Sequence, residues 1–127
     1  MIESILINRL LHSEAIKNYC NGNMFISNAP NGTKTPYIVI TANDGYETGD
    51  ESNVITTYDI DINVYDYEID IRKQREVSEL IKQILHNNFD NIRCWFKSRS
   101  LISESESTMS RINMQFNARK INDVINN

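Results

Sequence analysis

The chain has 127 residues, 40% of them hydrophobic and 24% charged, with a formal net charge of −4. That length fits one domain, residues 1–127, and the composition excludes disordered, collagen-like and low-complexity chains. The longest uncharged apolar run, Tyr37-Ile38-Val39-Ile40, is far below the ~20 residues of a membrane span, so no membrane partner is expected.

The start, Met1-Ile2-Glu3-Ser4, has no basic segment and no Ala-x-Ala site, so no signal peptide is expected. Cys20 and Cys94 are too few for a disulfide framework or a four-ligand zinc site, which makes a reducing compartment the default. Charge is divided unevenly. Residues 1–70 hold 11 acidic and 3 basic side chains, a net of −8, and residues 71–127 hold 6 and 10, a net of +4. Such a split is a clue to partners, and it can be satisfied inside one fold or between copies of it.

Residues 2–20 read as helix. Ile2, Ile5, Leu6, Arg9 and Leu10 fall on one stripe, with Arg9 able to snorkel, and Ser13 can cap a second short turn. Asn21-Gly22-Asn23 is a helix stop. Met24-Phe25-Ile26 is a weak strand, and residues 28–36, with two prolines and an Asn-Gly, are a loop. Tyr37 to Thr41 is a β-branched strand that reads as buried on both faces or nearly so. Residues 43–53 hold Asp44, Glu47, Asp50 and Glu51 around Tyr46 and two glycines, which predicts an exposed acidic loop.

Residues 54–65 alternate: Tyr58, Ile60, Ile62 and Val64 face one way, Thr57, Asp59, Asp61 and Asn63 the other. Residues 70–88 form an amphipathic helix with Asp70 as N-cap and a stripe of Val77, Leu80, Ile81, Ile84 and Leu85. Arg72/Glu76 and Arg75/Glu79 stand at i,i+4 spacing on its wet side. The remainder reads as a hairpin. Ile92, Cys94 and Phe96 alternate with Arg93, Trp95, Lys97 and Arg99; Ile112, Met114 and Phe116 alternate with Arg111, Asn113, Gln115, Asn117 and Arg119. The Ser/Glu tract 103–107 is its turn or a polar strand tip, and residues 121–127 are expected to fray.

The expected fold is therefore α+β: a two-layer sandwich with a mainly antiparallel sheet of four to five strands and two helices on one face. Leu80, Ile81 and Ile84 should pack on Ile60, Ile62 and Val64.

Chemistry is sparse. The four glycines are scattered and none opens a helix, which excludes a phosphate loop. Cys94 with His86 is the one Cys/His pair within a single supersecondary unit, but Cys94 alternates with Ile92 and Phe96 and reads as a buried thiol. Asp59 and Asp61, followed by Asp66, Glu68 and Asp70, have the chemistry to hold a hard cation, yet the calcium-loop pattern is absent and a solvated or subunit-facing acidic strip is the simpler reading. Arg93, Lys97, Arg99, Arg111 and Arg119 occupy odd positions opposite the apolar set, so a regular hairpin puts them on one face. A basic face suggests phosphate contacts. The acidic whole chain and a single stacking aromatic, Trp95, favour a protein-facing surface without sequence-specific nucleic-acid recognition. No catalytic residue, metal or cofactor is expected.

The stretch Ile26 to Thr41 reads Ile-Ser-Asn-Ala-Pro-Asn-Gly-Thr-Lys-Thr-Pro-Tyr-Ile-Val-Ile-Thr. A short apolar strand, Ala-Pro-x-Gly-Thr, then Pro-Tyr-Ile-Val entering a strand, resembles the tail-completion or tail-terminator proteins of long-tailed phages. The layout around it is similar too: an N-terminal helix, an acidic loop, an alternating strand ending near Val64-Tyr65, a second helix and a polar C-terminal hairpin. The resemblance implies a structural virion protein that forms a ring, usually a hexamer, on the head-proximal end of the tail tube. Such a ring stops tube growth and offers a surface for head joining. Implied partners are further copies of the chain, the tail tube protein and a head–tail connector protein, in a tail assembled in the host cytoplasm. A stopper or adaptor ring of the head–tail connector, or a small non-viral binding module, are the alternative classes. On the ring reading, Asp59, Asp61 and the acidic loop (Asp44, Tyr46, Glu47, Asp50, Glu51) should lie near Arg93, Lys97, Arg99, Arg111 and Arg119 of a neighbouring copy, with Trp95 and Tyr65 supplying apolar contact.

Overall fold

The computed structural model describes residues 1–49, 53–67, 71–103 and 109–123. Ile2, Leu6 and Leu10 recur every fourth residue and are all buried, which makes Ile2–Leu11 an amphipathic helix, α1. The helix does not run on to residue 20. At Ser13 the backbone turns extended (φ −83°, ψ 114°), and the Ser13 hydroxyl accepts the amide of Ile16, capping a second helix, α2, Glu14–Cys20. Asn21 then adopts the left-handed conformation (φ 51°) and closes it. Arg9, on the apolar stripe of α1, donates from Nε to the carbonyl of Ile84 at 3.1 Å and lies 4.0 Å over the ring of Phe89. It thus satisfies one of the carbonyls left open at the end of the third helix.

Six strands follow: β1 Met24–Ile26, β2 Tyr37–Gly49, β3 Asn53–Tyr67, β4 Asn87–Phe89, β5 Ile92–Ser103 and β6 Met109–Asp123, with α3, Ile71–Leu85, between β3 and β4. Their order in the sheet is β1-β2-β3-β6-β5-β4. β1 pairs with β2 in parallel and every other pairing is antiparallel. The expectation of four to five antiparallel strands under two helices is corrected to a mixed sheet of six strands with three helices among the described residues, within the same α+β class. The extra strand, β4, has no apolar alternation to announce it. It exists because Asp90 and Asn91 both take positive φ (47° and 60°), a tight turn that folds Asn87–Phe89 back onto β5.

Three boundaries also differ. α3 ends at Leu85, short of the expected residue 88, because Asn87 and Asn88 pair with β5 as strand. Residues 43–49 are not loop but the far half of β2, paired with β3 across a bulge between Asp44 and Glu47. β6 continues to Asp123, which pairs with Asn53, so strand reaches into the stretch expected to fray. Residues 50–52, 68–70, 104–108 and 124–127 lie outside the described residues; the expected N-cap Asp70, the loop acids Asp50 and Glu51 and most of the Ser/Glu turn fall there.

One face of the sheet is the core. Ile38, Ile40, Ile60, Ile62, Val64, Ile92, Cys94, Ile112, Met114, Phe116 and Ala118 are buried against Leu6, Leu10, Ile16, Val77, Ile81 and Leu85 of the helices. α3 turns a slightly different face inward than its hydropathy suggests. Gln74 and Ser78 are fully buried, whereas Leu80 and Ile84 are half-buried. The polar pair is tolerated because its bonds are made. Gln74 Nε2 donates to the carbonyls of Val64 (2.8 Å) and Ser110 (3.2 Å), and its Oε1 accepts from the Ser110 hydroxyl at 2.7 Å. The network continues to Asp66, whose backbone carbonyl accepts weakly from Ser110 at 3.4 Å and whose carboxylate accepts from the Tyr19 hydroxyl of α2. Burial, then that bond, raises the Tyr19 phenol well above its ordinary value.

Candidate interaction surface

Strand alternation sends the other half of the sheet's side chains to the opposite face. Register sets them in rows across four strands. Tyr37, Tyr65, Arg111 and Ile102 form the first row; Val39, Asn63, Asn113 and Ser100 the second; Thr41, Asp61, Gln115 and Ser98 the third; Asn43, Asp59, Asn117 and Trp95 the fourth. Thr57, Arg119 and Arg93 follow across β3, β6 and β5.

Each row has its own chemistry. Tyr37 and Tyr65 stack with ring centroids 4.8 Å apart, and Phe25 of β1 meets Tyr37 edge-on at 6.2 Å. Burial, then the neighbouring Tyr65, raises the Tyr37 phenol above its ordinary value. In the middle, Asn113 Nδ2 donates to Asn63 Oδ1 at 2.9 Å and reaches Asp61 Oδ1 at 3.4 Å. At the far end Arg119 sits 5.9 Å over Trp95 and directly opposite Arg93.

β6 explains how the two unequally charged halves of the sequence meet. It lies between acidic β3 and basic β5, so acid and base face each other within one sheet. Asp59, Asp61 and Lys97 border a common shallow hollow with Asn43 and Gln115. The expected acidic strip and basic strip are thus two sides of one surface.

Arg99 is not on it. A bulge between Phe96 and Ser98 makes Lys97 the extra residue, and beyond it the alternation of β5 is inverted. Arg99 stands opposite Met114, on the helix side, where its NH1 donates to Ser78 Oγ (3.2 Å) and pairs with Glu79 at 3.0 Å. This corrects the expectation that Arg99 shares a face with Arg93, Lys97, Arg111 and Arg119. The partner of Glu79 is therefore a strand arginine rather than Arg75 one helical turn away. Asp44, Tyr46 and Glu47 lie on β2 at its bulge, and Glu47 is exposed.

Sequence reasoning missed the ladder that runs from Gln115, whose Nε2 reaches Asn113 Oδ1 at 3.5 Å, through Asn113 to Asn63, and the Phe25–Tyr37–Tyr65 cluster. The odd-numbered positions of both strands carried the signal, but only pairing shows which of them meet.

The Cys94–His86 pair has structural work. Cys94 is 2% exposed, and burial pushes its thiol up to about 12, which opposes thiolate formation. His86 Nδ1 accepts the amide of Phe96 at 2.9 Å, holding β5 to the end of α3. Among the described residues no group of three or more His, Cys, Asp or Glu side chains is placed to hold a metal ion, and no helix is long and apolar enough to cross a membrane.

The sequence profile of a family described as tail completion protein gp17 matches residues 5–120. No curated protein sequence matches the chain. A chain in the solved virion of a native gene transfer agent particle is similar in fold, with a TM-score of 0.74 and 14% identity over 92% of this chain and 92% of its own. A second solved chain aligns with a TM-score of 0.50 and 12% identity over 97% of this chain and 98% of its own.

Proposed function

The chain belongs to the tail completion protein gp17 family, and on that premise we propose that it is a tail terminator: a ring that caps the head-proximal end of a tail tube, halts its growth and presents the surface to which the head joins. The coarse part of this, a structural protein of a phage or phage-like tail, follows from the family. The ring, usually of six copies in such proteins, and the neighbours, a tube protein and a head–tail connector protein, are the finer reading. The observation that carries it is the extent of the family match, which runs from α1 to the last strand. The occurrence of this fold in a gene transfer agent virion supports it. A function by assembly also suits the chain's chemistry: its one Cys/His pair within a supersecondary unit serves packing and strand anchoring.

We assign the open sheet face to contact with neighbouring virion proteins. Trp95 and Tyr65 supply apolar area there, while Asp59, Asp61, Arg93, Lys97, Arg111 and Arg119 set orientation, since exposed ion pairs contribute only about 0–1 kcal/mol each. The test is electron microscopy of the purified protein mixed with purified tail tubes. Rings seated at one tip, and tubes that no longer lengthen, are the expected result. Protein that stays monomeric beside bare tube ends would overturn the reading.

A further inference from the structure

The sheet is capped at each side by a strand too short to cover it. β1 pairs with β2 only as far as Ile40, so residues 41–49 have no strand on their outer side among the described residues. β4 pairs with β5 only as far as Cys94, and beyond Phe96, whose amide His86 accepts, no strand among the described residues covers β5 on to Ser103. A strand edge without a neighbouring strand is a template for a further one. The stretches 41–49 and 95–103 are equal in length and opposite in charge. The first holds Asp44 and Glu47 and no basic residue; the second holds Lys97 and Arg99 and no acidic one. Arg99 is shared with Glu79, but Lys82 stands 4.7 Å over the Phe96 ring and Arg75 lies beside Arg99 and Leu101, so the flank remains basic. Leu101 is 43% exposed there.

We propose that the acidic outer edge of β2 in one copy pairs with the basic outer edge of β5 in the next, so that the sheet continues from subunit to subunit. This rests on the ring reading above and says how the ring is made. The signs select the geometry. Two-fold pairing sets an edge against its own kind, acid on acid or base on base, and is repelled; only acid-to-base, head-to-tail pairing is attractive. Head-to-tail interfaces yield rings when the rotation closes. The bulges at Asp44/Glu47 and Phe96/Ser98 add twist at both edges, turning each copy relative to the last.

Cysteine cross-linking tests this directly. Thr48 on the acid edge and Ser98 and Ser100 on the basic edge share the open sheet face, and native Cys20 and Cys94 are buried. Thr48→Cys combined with Ser98→Cys or with Ser100→Cys should give, on mild oxidation of assembled rings, a ladder of covalent multimers ending at the ring's copy number. A second arm uses charge. Glu47→Lys or Lys97→Glu should each weaken ring assembly about fivefold per interface. Rings that form normally but give no ladder with either cysteine pair overturn the edge pairing and leave the ring reading standing. Efficient dimers from Thr48→Cys alone overturn it too, since like edges would then meet. Wild-type protein that forms no ring, free or on tubes, removes the ring reading itself.

Discussion

On β6, Ile112, Met114, Phe116 and Ala118 are buried, while Asn113, Gln115, Asn117 and Arg119, their sequence neighbours, lie on the opposite side of the sheet. The buried side is held by area removed from water and by close packing against three helices. The open side is held by a hydrogen-bond ladder, an aromatic stack and charges that water screens. Removing an atom from the first leaves a cavity; removing one from the second leaves a site that water can fill. The two faces share the same strands, so the protein can change its partner surface without rebuilding its core.

The sharpest way to break this contrast is to cut the core. Phe116→Ala should cost about 3–5 kcal/mol and Ile81→Ala about 2–5 kcal/mol in urea denaturation. Half-buried Leu80 should cost only about 1 kcal/mol as Leu80→Ala, although hydropathy ranks it with Ile81. An equal loss at Leu80 and Ile81 would mean that α3 presents the face its hydropathy predicts.

The core also sets an alkaline limit. The Cys94 thiol, ordinarily near 9.0, is pushed up to about 12 by burial. Above 9.0 the unfolded chain loses this proton while the folded chain keeps it, so stability is full below that pH and falls on the way to about 12, by up to about 1.4 kcal/mol per pH unit. Urea midpoints compared across this window should fall less steeply for Cys94→Ala than for the wild type. Identical slopes would mean that the thiol is accessible in the folded state.

Gln74 tests the polar part of the core. Gln74→Ala leaves the carbonyls of Val64 and Ser110 and the Ser110 hydroxyl without this partner, at a cost of about 1–3 kcal/mol. The smallest effect belongs to the open face: Asp61→Asn should change the melting of the monomer by less than about 0.5 kcal/mol. A loss comparable to that at Gln74 would show that the open face helps to hold the fold and is not spare surface.

Much of this was legible in the sequence. Alternation over 54–65 assigned Ile60, Ile62 and Val64 to one side and Asp59 and Asp61 to the other, and both assignments hold. Ser13 announced its cap and Asn21 its stop. The family resemblance at Ala29 to Val39 agrees with the profile match over residues 5–120. β4 was invisible because Asn87-Asn88-Phe89 has no pattern of its own, and Gln74 was overlooked because hydropathy cannot see that a polar side chain will find three partners.

Period and composition are local, so the sequence by itself determined most of the elements, most of the core residues and the division of charge between the halves. Strand order is not local. Only the tertiary structure inserted β6 between β3 and β5 and so set acidic and basic residues on one surface. Only it decided that Lys97 is the bulged residue. A single extra residue in a period-two strand sends every later side chain to the other face. Where that residue falls depends on how β5 matches β6 across the sheet, so Arg99 went to the helices while Arg93, on the same strand, stayed on the open surface.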